Sequence, residues 1–143
     1  MATNNKKKKI DESGQALLEF LIVIPLFMFL FWMIWSYALG WWIQVSAATA
    51  VHDGVAVVAQ GSSIPQGRQA ANSILDAALG PTAEGLKEGL AFYYVPWQRS
   101  VQGDIESIWR SPLSYYGFPP MQVRARSSQR VERFYGGAPD EWE

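Results

Sequence analysis

Few side chains in this sequence have the type and setting to do chemistry, and the most unusual of them is Glu19. It stands at the edge of an apolar run, directly before Phe20, where a carboxylate costs free energy unless it reaches water or finds a cationic partner. Two readings are open: an interfacial carboxylate reaching cytoplasmic water, or a docking group that meets a cation on a neighbouring subunit. His52 and Asp53 come next, but adjacent residues on a helix point about 100° apart and form no facing pair by themselves. His52 also lies well past the expected membrane exit, too far out to ligate a pigment at mid-membrane, so an exposed or packed histidine is expected. Arg124, Arg126, Arg130 and Arg133 form a basic cluster with Phe134 and Tyr135 nearby, interrupted by Glu132. Residues 44–143 carry 8 basic against 10 acidic side chains, the reverse of the balance that binds phosphates. Nucleic acid is therefore not an expected partner. A solvated strand face is expected for these arginines, with acidic lipid headgroups or an acidic protein as their other possible ligands.

The remaining inventory argues against catalysis. Cysteine is absent and there is a single histidine, which excludes a disulfide framework, a thiolate metal site, covalent haem attachment and an imidazole-rich metal site. No Gly-rich phosphate loop, nucleophile elbow or paired carboxylate site is present. The chain is expected not to be an enzyme and to need no cofactor.

The elements that must position these residues begin with the apolar segment. No charged side chain occurs from Phe20 to Val51, and residues 20–43 (FLIVIPLFMFLFWMIWSYALGWWI) are apolar at nearly every position. About 20 such residues in a helix cross the hydrocarbon core. A secretory signal has an apolar region of only about 7–15 residues and a small-residue cleavage site, so this run reads as a span. Lys6, Lys7, Lys8 and Lys9 precede it without a comparable basic cluster close behind it, which puts the N-terminus in the cytoplasm. Trp41 and Trp42 mark the outer boundary, because indole has an apolar body and an N–H that favours water. Phe27, Phe29, Phe31, Trp32 and Trp35 fall all around the helix, as lipid-facing bulk or as a surface for a partner helix, pigment or quinone. Pro25 removes a backbone donor and should bend or loosen the helix. Beyond Ile43 the sequence remains compatible with a helix, with Ala47, Ala48, Ala50 and Ala56, until Gly61 and Ser62-Ser63-Ile64-Pro65, predicting one long helix that protrudes from the membrane.

The fold class expected is α+β: a single long N-terminal transmembrane helix followed by a small extracytoplasmic domain built from a short helix and a small antiparallel sheet. The organisation is a basic cytoplasmic leader over 1–14, the spanning and protruding helix over 15–60, the domain over 61–135 and a flexible tail over 136–143. Residues 66–79 read as an amphipathic helix with Ala70, Ile74, Ala77 and Ala78 near one face, ended by Gly80-Pro81. Residues 90–95, 105–109 and 121–126 are strand candidates, and Gly117-Phe118-Pro119-Pro120 is an ordered turn or extended loop.

The segment Ser13-Gly14-Gln15-Ala16-Leu17-Leu18-Glu19-Phe20 has a basic leader, a Gly, four residues, Glu-Phe and then the apolar helix. The run from Gly14 to Pro25 (GQALLEFLIVIP), followed by Ala47 to Gly54 (AATAVHDG), resembles the TadE-like pseudopilins of tight-adherence pilus systems over about the first 60 residues. The resemblance implies cleavage between Gly14 and Gln15 by a prepilin peptidase and a new N-terminus at Gln15. It places Glu19 one turn into the mature helix, where it would meet the terminal amine of a neighbouring subunit, with Pro25 in a family-like position. The implied protein is a structural pseudopilin in the cytoplasmic membrane of a bacterium, with lipid and other membrane subunits as its partners. The alternative is an uncleaved single-pass accessory subunit of a larger membrane complex, energy-transducing, respiratory or photosynthetic, which would keep its leader.

Overall fold

The computed structural model describes residues 4–131, with the side chains of 4–13, 112 and 113 left aside. The tail 136–143, Glu132, Arg133, Phe134, Tyr135 and the side chains of Lys6, Lys7, Lys8 and Lys9 lie outside the described set. The fold is α+β, with a long apolar N-terminal helix, a short helix and a three-stranded antiparallel sheet. Helix α1 covers Asn4–Ala59, so helical backbone begins inside the basic leader rather than at residue 15. It is long and apolar enough to cross a membrane, with a mean hydropathy of 2.5 over its best stretch. The chain divides into two compact units between Tyr37 and Ala38, and α1 contributes to both.

In the first unit α1 continues through Pro25. The side chains of Leu17, Phe20, Phe27, Phe29, Trp32 and Trp35 are all exposed, and the rings of Phe31 and Trp35 stack with centroids 6.5 Å apart. Apolar side chains around the whole circumference are what a helix in lipid requires, since lipid rewards them on every face.

The second unit begins at Ala38, so the outer part of α1 belongs to it. From Gly40 onward α1 carries a stripe at helical spacing: Ile43, Ala47, Ala50, Val51, Val55 and Val58 are buried and belong to the domain's core. The outer part of α1 is thus the central strut of the domain. The residues are small or β-branched because other backbone passes close to them.

Helix α1 ends in a turn with Gly61 at φ 96°, and α2 follows over Ile64–Leu79. The Ser63 N–H donates to Gln66 Oε1 at 3.1 Å, closing the start of the helix, and Pro65 sits in its first turn, where a missing N–H has no helical acceptor to disappoint. Pro65 therefore opens α2 rather than only ending α1. The buried face of α2 is Gly67, Ala71 and Leu75, with Ile74 partly buried. The expected face around Ala70 and Ala77 was displaced by one position, because a glycine rather than an apolar side chain marks the contact. Gly80, at φ 54°, ends the helix, and a short helix α3, Glu84–Lys87, leads into the sheet.

Strands β1 (Leu90–Val95), β2 (Ser100–Trp109) and β3 (Met121–Arg130) form an antiparallel meander in the order β1-β2-β3. β1 has the bounds expected from LAFYYV, whereas β2 starts five residues earlier than read and β3 ends four residues later. The tight β1–β2 connection is closed by Arg99 in the left-handed region (φ 47°, ψ 46°), a conformation that costs a non-glycine residue free energy. One face of the sheet, with Leu90, Val101, Ile105 and Val123, joins the core against α1 and α2.

Candidate functional site

The segment Gly14 to Phe20 lies on α1. Gln15 and Glu19 are one turn apart on the same helix face, and Gln15 Nε2 donates to Glu19 Oε1 at 3.4 Å, a long and weak contact. Glu19 and Phe20 are exposed. If a peptidase released the chain at Gln15, the new amine would start on the turn below this carboxylate. Gly14 is exposed, and a Cβ built on it would meet nothing within 4 Å. Glycine costs a helix about 1 kcal/mol relative to alanine, and no packing among the described residues requires it at position 14. Gly85 is equally open; what distinguishes Gly14 is the Glu-Phe pair five residues on and the apolar helix behind it.

Other glycines have a packing reason. A Cβ on Gly54 would lie 3.0 Å from the Gly67 carbonyl oxygen and 2.6 Å from Phe92 Cζ, and one on Gly67 would collide with Val58 Cγ2 and stand 2.8 Å from the Gly54 carbonyl oxygen. Helices α1 and α2 thus cross backbone to backbone at these two glycines. Gly103 on β2 sits under the same Phe92 ring, its Cβ position 2.6 Å from Val55 Cγ2 and 2.7 Å from Phe92 Cε1. Phe92 and Gly103 are register partners, so the ring lies across the strand pair and fills the space between Gly103 and Gly54. This junction ties the outer part of α1, α2 and the sheet together within the second unit.

Along β3 the attachment to α1 is polar. Gln44 Nε2 donates to the Arg124 carbonyl at 2.5 Å, and the Arg124 N–H donates to Gln44 Oε1 at 3.3 Å. A side-chain amide thereby satisfies both edge groups of one residue of β3, a service normally given by another strand. Gln44→Ala is expected to cost about 1–3 kcal/mol of domain stability and to raise amide hydrogen exchange at Arg124 selectively. An unchanged exchange rate at that amide would dismiss the clamp. Further along, Ser127 Oγ lies 3.4 Å from His52 Nδ1, so His52 is an exposed histidine resting on β3, and Asp53 does not join it in a pair.

The boundary tryptophans have different surroundings. Trp41 is exposed. Trp42 Nε1 donates to the Ala78 carbonyl at 3.3 Å, so its N–H is used at the C-terminal end of α2 while part of its ring remains exposed.

Arg124, Arg126 and Arg130 occupy the outward face of the sheet. Arg124 pairs with Glu106 at 2.5 Å, both side chains 64% exposed, and Arg126 stands opposite Asp104 in the strand register. An exposed pair of this kind contributes no more than about 1 kcal/mol; acidic residues stand opposite Arg124 and Arg126, while Arg130 stands opposite Ser100. Among the described residues no group of three or more His, Asp or Glu side chains is placed to hold a metal ion.

Sequence reasoning did not identify the helix-crossing role of Gly54 and Gly67 or the Gln44 clamp. The recurrence of small residues at positions 40, 47, 50 and 54 was the available signal for close backbone approach. Comparison with known proteins gives no match among the curated proteins and none among the solved structures. The family models do give one, and it covers the Gly14–Phe20 segment, the apolar run and the helix stripe up to the crossing glycine: residues 14–56 are similar to the TadE-like protein family.

Proposed function

We propose that the chain is a membrane-anchored pseudopilin, a structural component in the assembly of a tight-adherence type of adhesion or secretion pilus. The match over residues 14–56 carries the reading, because it begins at Gly14 and takes in Glu19, Phe20 and Pro25. In this reading the helix is anchored in the cytoplasmic membrane of a bacterium with the four lysines on the cytoplasmic side, and the domain faces outward. A prepilin peptidase removes the leader after Gly14. The protein works by packing rather than by catalysis: the exposed apolar circumference of α1 joins a helical bundle, and Glu19 sets the axial register.

The physical logic of the register group is that a carboxylate in low dielectric is tolerated only where a cation meets it, so a subunit shifted along the bundle leaves the charge unpaired. The test is removal of the chain from its own cells. Surface pili are expected to be lost and to return with the intact gene. Pili of unchanged number and length, with the chain co-purifying stoichiometrically in another membrane complex, would replace this reading by that of an accessory subunit.

A further inference from the structure

The β2–β3 connection carries an aromatic group that neither the processing motif nor the domain core uses. Tyr115 is 90% exposed and Tyr116 70% exposed, their rings meeting edge to face at 5.6 Å. Phe118, Ile108 and Met121 are also exposed. Apolar and aromatic side chains gathered at one end of a small domain mark a contact surface.

The position of this end is fixed by α1. A Cβ on Gly40 would lie 2.6 Å from Met121 Sδ and 3.5 Å from Trp109 Cζ3, so β2 ends and β3 begins beside Gly40. Contacts between β3 and α1 then climb in step: Met121 at Gly40, Arg124 at Gln44, Ser127 at His52. β3 runs alongside α1 in the same direction, and the connection 110–120 is at the Gly40 end of the sheet. Gly40 immediately precedes Trp41 and Trp42, the residues that mark the outer boundary of the apolar run.

We propose that the β2–β3 connection is a second membrane contact, in which Tyr115, Tyr116 and Phe118 insert among the phospholipid headgroups and hold the domain down on the outer surface of the bilayer. The proposal rests on α1 crossing the membrane, and it commits to lipid as the occupant because the surface is continuous with the exit point of the span. The chemistry of the segment fits. Tyrosine rings favour the headgroup region, where the ring is buried and the hydroxyl stays wet. Residues 107–123 contain one cation, Arg110, and no carboxylate, so nothing in the segment is repelled by anionic headgroups. Pro112, Pro119 and Pro120 carry no N–H, which leaves fewer backbone donors to lose water on insertion.

The absence of native cysteine makes the test direct. Ser114→Cys in the full chain is labelled with an environment-sensitive fluorophore and reconstituted in vesicles of phosphatidylcholine and phosphatidylglycerol. Gln98→Cys, in the connection at the other end of the sheet, is the reference. The label at 114 is expected to be quenched by lipids carrying a nitroxide high on the acyl chain and to be shielded from aqueous iodide, at a depth within about 10 Å of the headgroup boundary; the label at 98 shows the opposite. Replacing Tyr115, Tyr116 and Phe118 together by Ser should abolish lipid quenching at 114. Equal iodide access at both positions would overturn the proposal, as would shielding at 114 that grows with protein density without lipid quenching, which would mean that a second copy covers the surface. Resistance of the chain to alkaline extraction is scored in the same samples. A chain that is extracted has failed as a membrane anchor, whereas a retained chain with a water-exposed label has failed only as a lipid-contacting loop.

Discussion

Gly67→Val is expected to lower the stability of the outer unit by about 3 kcal/mol, at the upper end of the usual overpacking cost. The reason is the identity of the obstructing atoms. A Cβ at this position meets Val58 on one side and the Gly54 carbonyl oxygen at 2.8 Å on the other; the second is backbone of a helix that cannot rotate away. Even alanine should destabilise here, although elsewhere in a helix it gains about 1 kcal/mol over glycine. Gly85→Ala is the control, because that position is open. Urea unfolding of the full chain in detergent measures the effect. A large drop in midpoint for Gly67→Val beside an unchanged or raised midpoint for Gly85→Ala is expected, and an unchanged midpoint for Gly67→Val would mean that the two helices do not meet at these glycines.

Glu19→Ala should leave insertion and domain folding intact and weaken association between subunits. Among the described residues the carboxylate is exposed and its one hydrogen-bond partner is Gln15 Nε2, so its removal leaves no described group without a strong partner, and the apolar run becomes longer. In the assembly proposed above it is a buried charge facing a neighbour's cation. Breaking such a pair costs about 3–5 kcal/mol, or a factor of about 100 or more in association. Cross-linking between α1 helices in membranes, together with alkaline extraction, separates the two effects. Loss of cross-linking with retained extraction resistance is expected; cross-linking at the wild-type level would remove Glu19 as the register group.

The legible parts of the sequence were those where one local signal dominates. The apolar run gave the long helix, and β1 could be bounded because Leu90, Phe92 and Tyr94 alternate against a proline at 96. The motif from Gly14 to Phe20 is carried by residue type and spacing alone, and the TadE-like match covers it. What stayed hidden depends on contacts between distant segments. β2 was read from Ile105, whereas the strand runs back through Gly103, a glycine that admits Val55 and Phe92. β3 was read only to Arg126, whereas β2 supplies strand partners for Ser127, Ser128 and Gln129. The buried face of α2 was missed for a related reason: at Gly67 the core contact is the absence of a side chain. The outer part of α1 looked like a plain helix because a stripe of alanine and valine becomes a core only when a sheet and a second helix close on it.

The central claim is that this chain is processed and assembled as a pseudopilin, and intact-mass and N-terminal peptide analysis of the protein from its native membrane tests it most directly. A mature chain beginning at Gln15 is the result predicted by the Gly14 motif and the helix behind it. A chain beginning at Met1 or Ala2 would contradict it and direct attention to the larger membrane complex that retains the subunit.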